Sequence, residues 1–156
     1  MFNKKKIYLN HIRSSNNKNK KVQKFFSMLF NILIDKCSRY QSFKNSDMVL
    51  ELSARNDILV DILNSKQIFP KFYQTILNNS IKIKNKNLVV SSLESQVFYK
   101  NSFDKCICIL ALNNSTKIPL AFQNIYNILK SKGIFFAIFP TEDCLKEFRW
   151  FFLNFF

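Results

Sequence analysis

Residues 50–57, Leu-Glu-Leu-Ser-Ala-Arg-Asn-Asp, place a carboxylate at Glu51, a hydroxyl at Ser53 and a guanidinium at Arg55 directly after a short apolar run. A strand that turns into a helix in this way can bind a nucleotide, because the backbone of the turn approaches the ligand. Such turns use glycine, since a residue without Cβ takes a positive φ freely and admits close approach. Ser53 and Asp57 stand where glycines are expected. We therefore interpret the segment as a nucleotide-type turn with altered binding chemistry.

The net charge suggests a nucleic-acid partner, but the accompanying composition gives another explanation for the charge. The 156 residues suit one domain, and 24 basic against 10 acidic residues give a formal charge of +14. Such a charge ordinarily indicates nucleic acid or an anionic membrane surface. Here it accompanies abundant lysine, asparagine and phenylalanine, 18 of the last, with a single glycine, a pattern typical of an AT-rich genome. We attribute much of the charge to codon bias and predict no specific nucleic-acid partner.

The cysteines and the apolar runs indicate a reduced compartment. Four cysteines without a C-x-x-C pair favour the cytoplasm of a bacterium. Cys106 and Cys108 would share one buried face of a strand, and a metal site would need two more ligands, because His11 lies far away in sequence. The basic start is not followed by the apolar segment of an export signal, and the longest apolar runs are too short to cross a bilayer. We predict a cytoplasmic protein with no metal site and no transmembrane segment.

Hydrophobic periodicity divides the chain into a loose arm and one domain. Residues 1–21 are basic and rich in asparagine, so we predict an arm there and a folded domain over 22–156. Apolar residues at spacings of three and four predict helices over 22–37 and 58–63. Short apolar runs predict strands over 48–52, 69–77, 88–91, 104–112 and 133–139.

The helix between the last two predicted strands has the clearest signals. Ser115 or Thr116 can cap its start, and Pro119 can occupy its first turn. Gly133 is placed to take the left-handed conformation that ends a helix. The predicted buried stripe consists of Leu120, Phe122, Ile125, Ile128 and Leu129. The alternation of strands and helices predicts an open, mostly parallel α/β sheet.

Five short motifs occur in an order that is typical of one superfamily. Residues 50–57 resemble L-D-L-G-A-R-x-G, 102–104 contain F-D, 118–122 resemble L-P-x-A-L, 128–133 resemble L-K-P-x-G, and 143–149 resemble D-T-L-x-E-L-R. The chain is similar to class I S-adenosylmethionine-dependent methyltransferases. The last motif and the A-R of the first resemble the branch of the mitochondrial complex I assembly factor 5, a protein arginine hydroxylase, and its alphaproteobacterial relatives.

The resemblance implies a fold, a cofactor and a set of contacts. The fold would be a Rossmann-like methyltransferase domain, truncated so that it lacks the C-terminal strand hairpin. The cofactor would be S-adenosylmethionine, bound at the C-terminal ends of the first strands. For the acid that normally binds the ribose at the end of the second strand, Gln74 or Thr75 would be a weak substitute. The residues implied at the cofactor are Glu51, Ser53, Ala54, Arg55, Gln74, Ser92, Leu93 and Glu94.

The sequence departs from the family pattern at the positions that would bind the cofactor or the substrate. Ser53 and Asp57 replace both loop glycines, so a side chain occupies the cofactor's space and a negative charge is added. No acid lies between Asp61 and Glu94, and the family's H-W after the fourth strand becomes Asn-Asn at 113–114. We therefore name no catalytic residue.

Structural alternatives stand beside these assignments. Glu51 and Glu94 could equally be inherited carboxylates on solvated loops, and Arg55 could be an exposed arginine at the start of a helix. Thr141 can cap a final helix, in which Asp143, Glu147 and Arg149 would form local ion pairs. The apolar segment 148–156 must bury itself in the domain, in a second copy or against another surface.

Two functions follow. The first is a methyltransferase-like protein of weakened or lost activity that binds S-adenosylmethionine. Its ancestral role would be modification of a respiratory complex I subunit, also a possible partner, or methyl transfer to a small acid. The second is a non-enzymatic remnant that acts as an assembly or interaction module. A homo-oligomer through the apolar C-terminal segment is compatible with both.

Overall fold

The computed structural model describes residues 20–79, 81, 83–95, 97–112 and 115–140, with Leu9 as an isolated position. The expectations for residues 1–19, for Asn113 and Asn114, and for the final helix, the hairpin and the apolar segment beyond residue 140 lie outside the described residues. The described elements are α1 (Lys20–Tyr40), β1 (Met48–Leu52), α2 (Ile58–Ser65), β2 (Lys71–Ile76), β3 (Leu88–Val90), β4 (Phe103–Ile109), α3 (Ile118–Ile128) and β5 (Leu129–Ile138).

The five strands form one parallel sheet in the order β3-β2-β1-β4-β5. This confirms the predicted α/β Rossmann-like class. The strand order reverses beside β1, and an open α/β sheet binds its ligands at the carboxyl ends of the strands at such a point. The sheet therefore places the ends of β1, β2 and β4 at one edge.

Helices cover both faces of the two central strands. On one face Phe30 of α1 and Leu63 of α2 pack in a cluster with Val49 of β1. On the other face Ile125 of α3 packs with Leu50 and the cysteines of β4. Burial on both sides explains why β1 and β4 are nearly continuous apolar runs.

The cysteines behave as small buried side chains. Cys106 and Cys108 lie fully buried on the α3 face of β4, as their alternation predicted. Burial raises the pKa of both thiols, that of Cys108 to about 12. Within the described part of the chain no cluster of histidine, cysteine and carboxylate side chains could hold a metal ion.

The prediction for α3 was wrong in its cap and in part of its stripe. Pro119 does lie in the first turn, but Lys117 occupies the cap position and its side chain makes no capping bond. The helix turns Ala121 and Asn124 toward the sheet with Ile125 and Ile128. Leu120 and Phe122 are 36% and 44% exposed. The predicted stripe mixed two faces, because a helix advances about 100° per residue.

The prediction for Gly133 was also wrong. The helix ends at Ile128, and β5 begins at the next residue. Lys132 has the left-handed φ of 70°, whereas Gly133 has no positive φ and lies inside β5. A Cβ on Gly133 would lie 3.0 Å from the carbonyl oxygen of Phe103 and 2.9 Å from that of Lys130. Glycine is needed there for close approach at the irregular pairing of β4 with β5.

Candidate functional site

Glu51 and Gln74 are paired at the carboxyl ends of β1 and β2. The Nε2 group of Gln74 donates a hydrogen bond of 2.8 Å to Oε2 of Glu51, and lies 3.2 Å from the carbonyl oxygen of Asn56. Glu51 is 4% exposed and Gln74 is fully buried. Among the described residues none donates to Oε1 of Gln74. Gln74 therefore ties the acid of β1 to the turn that follows it and retains one unused acceptor.

Glu51 is a buried acid with a strongly shifted pKa. Burial raises the pKa of its carboxyl group to about 8, and the charge of Asp57 adds to the rise. The hydrogen bond from Gln74 acts in the opposite direction but does not cancel the cost of burying a charge. Glu51 is thus neutral over most of the range below pH 8, which contradicts the alternative of a solvated loop carboxylate.

The turn after β1 keeps the backbone shape of a glycine turn without the glycine. Ser53 has a φ of 53°, which lies in the left-handed region. Its N–H donates to Oγ1 of Thr75 at 2.8 Å, and the N–H of Ala54 donates to the carbonyl oxygen of Thr75 at 2.7 Å. Both backbone donors of the turn are therefore bonded to β2.

Asp57 does not share this backbone requirement. Its φ is −95°, a value that any residue adopts, so the need for glycine holds at position 53 alone. The carboxylate of Asp57 accepts the N–H of Lys84 at 3.0 and 3.2 Å. Asp57 consequently fastens the segment after β2 to the start of α2.

Arg55 is half-buried at the mouth of the turn, which contradicts the alternative of an exposed arginine at a helix start. Its Nη2 donates to the carbonyl oxygen of Leu110 at 2.9 Å, and its guanidinium lies 5.8 Å from the ring centre of Phe26. Burial lowers the pKa of Arg55 from its ordinary value. A small open cavity of about 200 Å³ lies here, lined by Phe26, Phe30, Glu51, Ser53, Arg55, Asn56 and Ile109.

The segment after β3 divides between two locations. Ser92 and Leu93 line a second cavity of about 290 Å³, which also touches Leu52 and Thr75 at the ends of β1 and β2. The hydroxyl groups of Ser92 and Ser95 lie 3.0 Å apart. These two predicted contacts therefore lie beside the turn residues, although in a separate cavity.

Glu94 points away from both cavities and binds the segment before α3. Its Oε1 accepts four hydrogen bonds of 2.7 to 3.1 Å from Ser115, Thr116 and Lys117. Partial burial opposes ionisation, but these bonds outweigh it and hold the pKa of Glu94 below its usual value. The hydroxyl groups predicted to cap α3 are used here instead, which explains the missing cap.

Sequence reasoning missed the partners that fix the turn. Thr75, considered only as a weak ribose ligand, accepts both backbone donors of the turn. Leu110 and Phe26 hold Arg55, yet they lie 55 and 29 positions from it in the sequence. No local pattern could have joined Phe26 to the turn, whereas Leu110 lies near the end of a predicted strand.

The fold has close counterparts among solved methyltransferases. A family described as a methyltransferase domain matches residues 68–137, which include β2 and nearly all of β5. A methyltransferase chain solved with its activator from Haloferax volcanii superposes with a TM-score of 0.64 at 12% identity, over 82% of this chain and 63% of that one. The chain is similar to methyltransferase domains, and its fold is that of class I S-adenosylmethionine methyltransferases. A Galdieria sulphuraria structure named as a sarcosine dimethylglycine methyltransferase gives 0.63 at 12% identity, over 82% of this chain and 56% of that one.

Two curated proteins are distant homologues of this chain. The human mitochondrial arginine hydroxylase NDUFAF5 is 27% identical over 115 residues, which are 70% of this chain and 33% of that protein. A Rickettsia prowazekii protein that carries a methyltransferase name is 32% identical over 110 residues, 68% of this chain and 48% of that protein. The chain thus spans about a third and about half of the two relatives. No helix among the described residues is long and apolar enough to cross a membrane.

Proposed function

We propose that this methyltransferase-like domain binds S-adenosylmethionine at the ends of β1 and β2 with low affinity, and that methyl transfer is weakened or lost. The similarity of the chain to methyltransferase domains supports the choice of cofactor. The cofactor supplies a methyl group on a positively charged sulfur when it is bound. The residues that would hold it are Glu51, Ser53, Ala54, Arg55, Gln74, Ser92 and Leu93, whereas Glu94 binds the segment before α3 instead.

The observation that carries the proposal is that the polar groups of the site already bond to one another. The N–H groups of Ser53 and Ala54 donate to Thr75, and Glu51 accepts from Gln74. A ligand gains little from groups that must first give up good hydrogen bonds, because only the net exchange contributes to affinity. The enclosed part of the cavity at Glu51 is also small, because its volume of about 10 Å³ is close to what a single water molecule needs.

Two features favour residual binding over none. The left-handed backbone at Ser53 preserves the shape of the turn, and the unused Oε1 of Gln74 can accept a hydrogen from a hydroxyl or amino group of a ligand. Burial keeps Glu51 neutral, and a cationic group beside it would favour its ionised form. We expect the affinity to be in the high micromolar to millimolar range, about −4 to −6 kcal/mol.

Calorimetric titration of the folded protein with S-adenosylmethionine and its demethylated product tests this proposal. Heat that saturates near the millimolar range is the expected result. A protein with a cooperative melting transition that releases no heat at millimolar ligand would refute cofactor binding and leave the non-enzymatic function.

A second candidate function is an assembly module for a respiratory complex I subunit. The exposed side of α3 favours it, because Ile118, Phe122 and Tyr126 are 45%, 44% and 79% exposed there. Apolar side chains grouped on a surface suit a protein partner. Co-purification from an alphaproteobacterial extract should recover such a subunit with the wild type and not with Phe122→Asp. Recovery of no complex I subunit by the wild type would count against this function, and gel filtration of the same samples reports self-association.

The remaining proposals concern location. We propose a bacterial cytoplasmic protein without a specific nucleic-acid partner, which the three free cysteines among the described residues and the codon bias support. Cell fractionation and retention on immobilised DNA at physiological salt check the two statements. Recovery in the membrane fraction, or sequence-dependent retention, would contradict them.

A further inference from the structure

The backbone turns sharply at Leu110, directly after β4. Leu110 has a φ of 51°, a left-handed conformation that is unusual for a leucine. Two hydrogen bonds hold it: its N–H donates to the carbonyl oxygen of Ile138 at 2.7 Å, and its own carbonyl oxygen accepts Nη2 of Arg55 at 2.9 Å. Sparsely populated backbone conformations persist where the surroundings fix them from several sides.

The residues after Leu110 fold back on the end of β4. The backbone of Ala111 and Leu112 lies near the thiol of Cys108 and opposes the rise of its pKa. All three of these residues are at most 4% exposed. Ile138 of β5 and Arg55 thus hold the 110–112 turn through hydrogen bonds with Leu110, and of these two partners Arg55 belongs to the turn after β1.

Arg55 is itself fixed at both ends. Its backbone lies two residues after the left-handed Ser53, and its guanidinium lies over the ring of Phe26. It therefore joins two strained turns at the ends of β1 and β4, which are neighbours in the sheet. A planar guanidinium suits this position, since it donates to a carbonyl oxygen while stacking on an aromatic ring.

We infer that Arg55 is a positioning residue that fixes the 110–112 turn relative to the turn after β1. The proposed cofactor site lies at the second of these turns, so its shape depends on Arg55. This inference deepens the proposed function and rests on it for its effect on ligand affinity. Removal of the guanidinium leaves Leu110 in an unfavourable conformation with one hydrogen bond fewer. The 110–112 turn then relaxes, and the cavity that Arg55 lines loses its fixed wall.

Residue-resolved amide exchange of the ligand-free protein tests the positioning role directly. In Arg55→Met we expect exchange at residues 110–112 to rise about tenfold or more relative to the amides of β1, because a hydrogen bond to a charged donor is lost. Arg55→Lys, which keeps the charge but not the planar fork, should restore part of the protection. Arg39→Met removes an exposed arginine from the end of α1 and should change nothing at the turn.

Titration of the same variants with the demethylated cofactor should show affinity falling about tenfold in Arg55→Met and less in Arg55→Lys. Unchanged exchange at 110–112 in Arg55→Met would overturn the inference. A rise spread evenly over all strands would also overturn it, since that indicates a global stability effect. If the wild type releases no heat, the proposed function fails, while the exchange experiment still decides the role of Arg55.

Discussion

Ser53 carries the strain that a missing glycine leaves in the turn. A residue with a Cβ pays about 1–2 kcal/mol of strain in the left-handed region, and glycine avoids this strain. Glycine itself costs about 0.5–1 kcal/mol, because its unfolded state has more conformational freedom. We expect Ser53→Gly to raise the free energy of unfolding by about 0.5–1 kcal/mol, measured by urea denaturation. Asp57→Gly is the matched control, and it should destabilise because its φ of −95° stores no strain and its contact with Lys84 is lost. A loss of stability in Ser53→Gly would contradict the assigned backbone conformation.

Glu51 makes the stability of the protein depend on pH. The folded pKa is about 8 and the ordinary value is 4.5, so the folded state holds a proton that the unfolded state has lost between these values. The stability associated with the neutral acid is complete below about pH 4.5 and is lost as the pH rises toward 8. Its full size is on the order of a few kcal/mol.

In Glu51→Gln the free energy of unfolding should therefore fall less between pH 5 and pH 8 than in the wild type. The variant should be more stable than the wild type at pH 8. Denaturant midpoints at four pH values measure this, with Asp61→Asn on the exposed side of α2 as the control. Parallel pH profiles for Glu51→Gln and the wild type would contradict the raised pKa.

Glu94, predicted to contact the cofactor, instead stabilises the start of α3. Glu94 accepts four hydrogen bonds from the residues that precede α3, as a capping side chain does. Glu94→Gln should lower the free energy of unfolding by about 1 kcal/mol at pH 7, and leave the affinity for the cofactor unchanged.

The contribution of Glu94 to stability depends on pH in the opposite direction to that of Glu51. Because the folded pKa of Glu94 is depressed, its contribution is present above the ordinary value and is lost as the pH falls through the folded value. Thermal unfolding of Glu94→Gln and the wild type should therefore converge at low pH. Lost affinity with unchanged stability would instead favour a cofactor contact.

The secondary structure of the described residues was predictable where it depends on neighbouring residues in the sequence. The five strands and the helices around them follow from apolar runs and from spacings of three and four, and the structure reproduces them to within a few residues. Gly133 and the stripe of α3 were mispredicted, because close strand approach and the direction of a helix face are tertiary properties. The turn after β1 was also predicted at its observed position, whereas its role in cofactor binding stays a prediction.

The internal bonding of the site was not predictable. Whether Gln74 faces Glu51 or a ligand depends on the register of β1 with β2, and the left-handed turn at Leu110 depends on contacts from β5 and Arg55. The sequence indicated which groups are present, but only the packed sheet decides which of them are already satisfied.

The central claim is that this methyltransferase-like domain keeps the backbone shape of the proposed cofactor turn but fills it with its own side chains and hydrogen bonds. The most direct test is titration of the wild type, Ser53→Gly and the double variant Ser53→Gly/Asp57→Gly with the demethylated cofactor. We predict weak saturable binding by the wild type and a gain of about tenfold or more when the glycines are restored, because the ligand can then approach the backbone. Equal affinities for all three proteins, or no binding by any of them while they remain folded, would contradict the account.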